Sequence, residues 1–309
     1  MSDTFKKNLS LSLTDLSLFL KKTPAETKQI LFKITGRPWM QPFVDPSVVR
    51  EVLLKQKIQY PAQKVVSVQM LKGGVAKTTT VLNVGLRAAM YGANVLFIDL
   101  DQQANLSFAL GHNGEKDPVW LDIVEKKKSI DECIRCIDMH VDLIPSNLNN
   151  SVLDRVLLNS NRNWAQAVKS PLDKIKHRYD LIFIDTAPAL SAVNTAVTVA
   201  SDQVLLPINP DRFSMLGLEK NLEELKDIKK DFHLDFDIKI LFTKFDAREK
   251  TSHQYLQNCI DSYENLLMKN FIRTSSQVKN SVDGSKTLFD CKAAVKEDFD
   301  LVTRELLEI

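Results

Sequence analysis

Two lysines, two glycines and two threonines crowd into one short stretch, Lys72-Gly73-Gly74-Val75-Ala76-Lys77-Thr78-Thr79. An apolar run, Val65–Met70, precedes it, and a helical pattern that closes near Tyr91-Gly92 follows it. A strand that turns through glycines into a helix N-terminus makes an anion site, because free backbone N–H groups and the helix dipole both face a negative ligand. In such a loop Lys77 is placed to reach the β- and γ-phosphates of a nucleotide, and the Thr78 hydroxyl to hold Mg²⁺. Gly73, Gly74, Val75, Ala76 and Thr79 complete the cradle. The strict pattern G-x-x-x-x-G-K-[ST] fails at two positions, where Leu71 and Ala76 replace glycine. A plain strand–helix junction with incidental glycines is the alternative.

Carboxylates stand where such a loop needs them. Val95-Leu96-Phe97-Ile98-Asp99-Leu100-Asp101 is an apolar strand pattern ending in two acids, and Asp180-Leu181-Ile182-Phe183-Ile184-Asp185 ends in one. Ligands of open α/β sheets bind at the carboxyl ends of strands. Acids there can hold Mg²⁺ or orient an attacking water. The plainer reading, that each acid caps the next helix, suits one strand better than two.

The rest of the chain supplies the elements that place these groups. Candidate strands are 64–70, 94–100, 140–144, 180–185, 203–208 and 237–243, with a weaker one at 270–273. Helical stretches run over 77–91, 163–176, 213–230 and 248–268. Continuously apolar strands alternating with helices imply a doubly wound, mostly parallel α/β sheet. Residues 1–60 differ. Thr23-Pro24-Ala25-Glu26 and Asp45-Pro46 are helix starts, so this segment reads as a helical extension of two or three short helices, turning at Gly36-Arg37-Pro38 and near Pro42. The two-part division is therefore 1–60 and 61–309.

The 309 residues carry 41 basic and 39 acidic side chains, so bulk charge does not drive the chain onto nucleic acid and any anion-binding surface must be local. No apolar run reaches the roughly 18 residues that span a bilayer. The leucine-rich N-terminus is interrupted by Asp15 and by hydroxyl side chains, so the chain reads as cytoplasmic. Four cysteines make no disulfide framework, and Cys133-x-x-Cys136 reads as ordinary thiols rather than half a metal site. The run Glu125-Lys126-Lys127-Lys128 reads as a solvated loop.

Five ordered motifs resemble the ParA/MinD ATPases. Lys72–Thr79 resembles their deviant Walker A sequence KGGVGKTT, and Asn83 in the following helix also matches. Asp99-Leu100-Asp101-Gln102-Gln103-Ala104-Asn105 is similar to the switch segment D-x-D-P-Q-G-N. Ile184-Asp185-Thr186-Ala187-Pro188 resembles IDTPP. Pro207, Asp211 and Gly217 fall at P-x-x-x-E and a later glycine, and Thr243–Arg248 resembles T-x-x-D-x-R. The resemblance begins near residue 64 and leaves residues 1–60 uncovered. It implies a P-loop NTPase fold and an ATPase with ATP and Mg²⁺ as cofactors. Lys77 is then the in-chain phosphate lysine, and Lys72 the signature lysine that reaches the partner's ATP in an ATP-dependent homodimer. Thr78 and Asp185 serve Mg²⁺, and Asp101 orients water with Asp99 beside it. Ala76 is the main departure: if the loop demands positive φ there, alanine is strained by roughly 1–2 kcal/mol, which puts the hydrolysis rate in question.

The resemblance further implies plasmid or chromosome partition. A centromere-binding ParB-like partner stimulates hydrolysis, and basic residues grip nonspecific DNA on the nucleoid. Arg248 matches such a position, and Lys250, Arg273, Lys279 and Lys286 are further candidates. Alternatives are a MinD-like ATPase positioning membrane or cargo, and a nucleotide-gated repressor with little turnover. The last helix carries Val295, Phe299, Val302, Leu306 and Ile309 on one face and mostly acids on the other, which suits packing better than an anionic membrane. Residues 1–60 are read as a dimerisation or regulatory element. A helix-turn-helix, which some plasmid members carry, is the alternative.

Overall fold

Strands buried on both faces need apolar residues at successive positions, and the central strands here have them. The computed structural model describes residues 9–60, 63–112, 114, 116–159, 163–278, 287–290 and 293–309. Its strands are β1 (Leu11–Ser12), β2 (Phe43–Val44), β3 (Lys64–Val68), β4 (Val95–Asp99), β5 (Arg135–Asp138), β6 (Val141–Ile144), β7 (Leu181–Asp185), β8 (Gln203–Ile208) and β9 (Asp237–Phe242). The last seven form one sheet in the order β5-β6-β4-β7-β3-β8-β9, parallel except for β5. The strand order reverses around β3, which carries the phosphate loop.

The helices are α1 (Leu13–Leu20), α2 (Pro24–Thr35), α3 (Pro46–Lys55), α4 (Lys77–Met90), α5 (Asn105–Ala109), α6 (Trp120–Val124), α7 (Ile130–Cys133), α8 (Leu153–Leu158), α9 (Lys169–Leu172), α10 (Ala192–Ala200), α11 (Arg212–Asp231), α12 (Lys250–Tyr263) and α13 (Val295–Leu307). α4 lies on the central strands. A Cβ on Gly85 would sit 2.3 Å from the Phe97 ring, so only glycine lets the helix approach this closely.

Three sequence expectations change. Residues 270–273 are not a strand: Ile272 bonds the Phe242 carbonyl and the Phe245 N–H, and Arg273 bridges Phe245, but Glu305 takes the N–H groups of Lys269 and Asn270, so the pairing does not extend into a ladder. The 163–176 stretch is not one helix; it breaks into 3₁₀ turns at Trp164–Gln166 and Lys176–Arg178 flanking the four-residue α9, which contains Pro171, a residue without a backbone N–H. β5 was not expected, since its Arg-Cys-Ile-Asp sequence lacks an apolar run and it pairs antiparallel at the sheet edge.

Residues 9–60 form three helices and a two-stranded ribbon that share a core with α4 and α13. The expected starts of α2 and α3 are present. Thr23 and Glu26 form a reciprocal capping box, Asp45 caps α3, and Pro24 and Pro46 occupy first turns. Gly92 has φ 91°, and a Cβ there would meet the Pro46 carbonyl at 2.5 Å, so α3 seats directly on the end of α4. Arg50 locks this contact, bonding Asp180 at 2.6 and 3.1 Å and the Gly92 carbonyl at 2.8 Å. Beneath lies Arg87, 2% exposed, between Asp15 at 3.1 Å and Asp300 at 2.6 Å. Asp300 and Asp298 are thus buried ion-pair members of α13 rather than part of a solvated acidic face; Asp298 holds Arg273. The apolar stripe of α13 packs inward, with Val295, Phe299, Val302 and Leu306 all buried.

Candidate nucleotide site

β3 ends at Val68, and the loop that follows reaches α4 at Lys77. Ala76 is the N-cap residue of α4 and adopts φ 71°, ψ 30°, the left-handed conformation. The loop does require positive φ at this position, and an alanine supplies it. Ala104, at the second glycine-to-alanine departure, is also left-handed, with φ 53°. Gly74 has φ 75°.

Lys77 is 8% exposed, and its Nζ donates to the Met70 carbonyl at 3.3 Å. Burial pulls its pKa below the ordinary lysine value, against the opposing charges of Asp185 and Asp101. Thr78 Oγ1 donates to Asp185 Oδ2 at 2.6 Å. Asp185 is fully buried, and its Oδ1 has no hydrogen-bond partner among the described residues. A buried carboxylate oxygen left bare beside a threonine hydroxyl is an incomplete oxygen-donor set. It fits Mg²⁺, which takes one or two protein oxygens and fills its octahedron with phosphate and water. Among the described residues no three His, Cys, Asp or Glu side chains gather into a protein-only cage.

The β4–β7 register sets Asp99 directly beside Asp185. Burial raises the pKa of both, and each is pushed further by a neighbouring carboxylate: Asp101 acts on Asp99, and Asp99 on Asp185. Asp99 is committed to shaping the switch segment. Its Oδ1 accepts from the Asp101 N–H at 3.1 Å, and its Oδ2 from the N–H and hydroxyl of Ser107 at 2.9 and 2.7 Å. Asp101 in turn accepts from the Gln103 N–H at 2.9 Å. Ser107 has no signal in a single sequence.

Lys72 points to its own chain. Its Nζ contacts both oxygens of Asp211 and, at 3.3 Å, Ser214 Oγ. Asp211 also caps α11. Burial opposes ionisation of Asp211, but the Lys72 and Ser214 bonds outweigh it and lower its pKa. Lys244, left-handed at φ 55°, donates to the Gly74 carbonyl at 2.6 Å and so braces the loop from β9. This contact had no sequence signal beyond a lysine inside the T-x-x-D-x-R segment. A cavity of about 650 Å³ opens between Ala76, Thr80, Lys244, Thr274 and Phe299, large enough for a nucleoside. The Thr80 hydroxyl on its wall is buried without a hydrogen-bond partner among the described residues.

The expected DNA contacts lie apart from this site. Arg248 projects into solvent with its side chain 87% exposed, and Asp246 holds its guanidinium at 2.6 and 2.9 Å. That pairing draws the Asp246 pKa down to about 2. Lys250 opens α12 and is exposed. Arg273 is half committed: it bonds Asp298 at 2.6 Å and the Ala294 carbonyl at 3.0 Å. Lys279 and Lys286 lie outside the described residues, as does Cys291. Cys133 is buried at the end of α7, where burial pushes its thiol up to about 11, and Cys136 is exposed on β5. No helix among the described residues is long and apolar enough to cross a membrane.

A mostly parallel sheet with a lysine-threonine loop after β3 at its switch point, and acids at the ends of the adjacent β7 and of β4 next to it, defines a P-loop NTPase-type α/β protein. Comparison narrows the class. The AAA domain family profile (AAA_31) matches residues 63–240. A ParA family protein of Chlamydia trachomatis is 31% identical over 252 residues, covering 79% of this chain and 97% of that one. The chain belongs to the ParA family. Among solved structures, apo McdA of Cyanothece superposes with a TM-score of 0.72 at 25% identity, covering 79% of this chain and 99% of that one. Cobyrinic acid a,c-diamide synthase from Mycobacterium smegmatis, with bound ATP analog and magnesium, gives 0.71 at 26% identity, over 79% and 94%.

Proposed function

We propose that this protein is an ATP-dependent partition switch of the ParA type. The observation that carries the reading is the Thr78–Asp185 pair, with Asp185 Oδ1 bare, at the foot of a helix that opens on the buried Lys77. Loop N–H groups and Lys77 hold the phosphates of ATP, and Thr78 and Asp185 hold Mg²⁺, which neutralises phosphate charge. Asp101 orients the water. Lys72 leaves Asp211 and crosses to the nucleotide of a second copy, so that ATP and dimerisation are coupled. The dimer grips nonspecific DNA through Arg248 and Lys250, placing it on the nucleoid, and a centromere-binding ParB-like partner speeds hydrolysis and release. Two alanines hold left-handed positions flanking the site, so the loop keeps its geometry at a cost in backbone strain. A membrane-positioning role has less support, because the apolar face of α13 is already buried.

The test is binding of the full chain to a random-sequence duplex with ATP–Mg²⁺, ADP–Mg²⁺ or no nucleotide, over a range of salt. Binding is expected with ATP only, falling steeply with salt and lost in Lys77→Ala. Equal binding in all three states would remove the switch.

A further inference from the structure

The charged run Glu125-Lys126-Lys127-Lys128 follows α6 and takes no part in the nucleotide site. It is a fixed turn rather than a loose loop. The Lys126 N–H donates to the Ile123 carbonyl at 3.1 Å and the Lys127 N–H to the Asp122 carbonyl at 2.9 Å, with Lys126 left-handed at φ 59°. The turn borders a cavity of about 520 Å³, bounded also by α8, the 3₁₀ turn Trp164–Gln166 and α9. Small-molecule sites are commonly cavities of about 300–1,000 Å³, often set between helices.

The cavity has an apolar wall and a charged lip. Ile123, Val124, Val156, Trp164, Ala167 and Pro171 line it, and each is half-buried. The Trp164 indole N–H and the Gln166 side-chain amide, on the same lining, have no hydrogen-bond partner among the described residues. Glu125, Lys126 and Lys127 stand exposed at the lip. Lys127 pairs with Glu125 at 2.6 Å, which leaves the charge of Lys126 without an ion pair among the described residues. Such a lining accommodates an apolar body and calls for one negative charge with acceptor oxygens.

We propose that this cavity binds a small amphipathic monoanion, an aliphatic or aromatic body carrying one carboxylate, and serves as an effector site for the switch segment. The body covers the apolar wall, the carboxylate meets Lys126, and Trp164 and Gln166 donate to its oxygens. Both α6 and α8 are bonded to the phosphate end of the sheet. Asp99 Oδ2 accepts from the Ser107 hydroxyl at 2.7 Å, and Ser107 Oγ accepts from the Ser146 N–H at 2.9 Å. Ser146 Oγ accepts from Asn150 Nδ2 at 2.9 Å, and Asn150 Oδ1 from the Leu121 N–H of α6 at 3.2 Å. From α8, Asp154 accepts from the Val193 N–H at 3.2 Å, at the head of α10, the helix that follows Asp185. A ligand that moves α6 or α8 therefore acts on the segments beside Asp99 and Asp185. The effector role rests on the nucleotide reading, whereas occupancy of the cavity does not.

The experiment titrates the full chain with submicellar decanoate, followed by calorimetry and by tryptophan emission. Trp39 and Trp120 are buried, so Trp164 is the reporter, and Trp164→Phe should remove the optical change while calorimetry still shows binding. Decanoate is expected to bind saturably, about tenfold more tightly than octanoate. Decylammonium, with the same body and the opposite charge, should bind at least about fivefold more weakly. Lys126→Gln should weaken decanoate by about two- to fivefold, and Val156→Glu by about tenfold or more. Melting temperatures check the fold, and Lys126→Gln, at an exposed position, carries the test if Val156→Glu does not fold. Decanoate should also change ADP–Mg²⁺ affinity by at least about fivefold, with the same factor in reverse. No saturable binding, equal binding of decylammonium, or full affinity in Lys126→Gln would overturn the site. Binding of anionic phospholipid vesicles in competition with decanoate would point to a bilayer and overturn the free ligand. Decanoate that binds and leaves ADP–Mg²⁺ affinity unchanged would overturn the effector role. Failure of ADP–Mg²⁺ to bind at all would count against the nucleotide reading alone, and the decanoate titration would still decide the cavity.

Discussion

Lys72 Nζ lies 2.5 Å from Asp211 Oδ2 and 2.6 Å from Oδ1, a two-pronged pair within one chain. Its members are about one-third exposed, with side-chain accessibilities of 29% and 37%. At that exposure the pair is worth at most about 1 kcal/mol, or roughly fivefold in an equilibrium. Asp211→Asn removes the charge and keeps a good helix cap. The expected result is a rise of up to about fivefold in the ATP-dependent dimer fraction, read by sedimentation velocity, with almost no change in melting temperature.

Ala76 holds a left-handed conformation that glycine adopts freely. Relief of strain is worth about 1–2 kcal/mol, and the flexibility of glycine in the unfolded chain returns about 0.5–1 kcal/mol. Ala76→Gly should therefore stabilise the protein by up to about 1 kcal/mol, against the usual sign for alanine to glycine. Urea unfolding measures it, and destabilisation would contradict the backbone geometry. Ala104→Gly is expected to behave likewise.

Asp99 and Asp185 have folded-state pKa values raised by burial, with Asp101 pushing Asp99 further up and Asp99 pushing Asp185. For an acid the sign is then reversed from the ordinary case. The folded state holds its proton more tightly than the unfolded chain, so stability is present below the unfolded value and is lost as pH rises through the folded one. Without nucleotide, the melting temperature should rise as pH falls from neutral toward the ordinary carboxylate range, until other groups titrate. Asp185→Asn should flatten that rise, stabilise the nucleotide-free protein at neutral pH and abolish Mg²⁺-dependent ATP binding. Calorimetry in buffers of different ionisation enthalpy should show proton release on binding of Mg²⁺–ATP to the parent.

Arg87 is nearly inaccessible between Asp15 and Asp300. Truncation leaves two carboxylates without their shared partner. Arg87→Ala should cost about 3–5 kcal/mol, seen in urea unfolding. Adding Asp300→Ala should cost much less than the sum of the two single changes, because the groups form one network.

Much of the fold was readable from residue order. Short β-branched and apolar runs, several of them continuous, marked six of the seven strands of the main sheet, and Thr23, Glu26, Asp45 and the two prolines marked the starts of α2 and α3. β5 is hidden, because an edge strand that faces water on one side needs no apolar run, and the helical pattern of 163–176 is broken in the fold around Pro171, which has no N–H to donate. The placement of Lys77, Thr78, Asp99, Asp101 and Asp185 at or after strand ends was legible as well, since an apolar run that breaks off in a polar residue marks where a buried strand stops.

Residue order alone could therefore settle the class of fold and the positions of the chemistry-bearing groups, both of which follow from local periodicity and short-range spacing. Folding decided which group meets which. Register across β4 and β7 sets Asp99 against Asp185; the return of α11 to the loop gives Lys72 to Asp211; and the docking of α1 and α13 buries Arg87 between two acids. These contacts join residues up to 213 positions apart in the chain. They arise only when the sheet, its helices and the N-terminal unit share one core, so no stretch of sequence read by itself contains them.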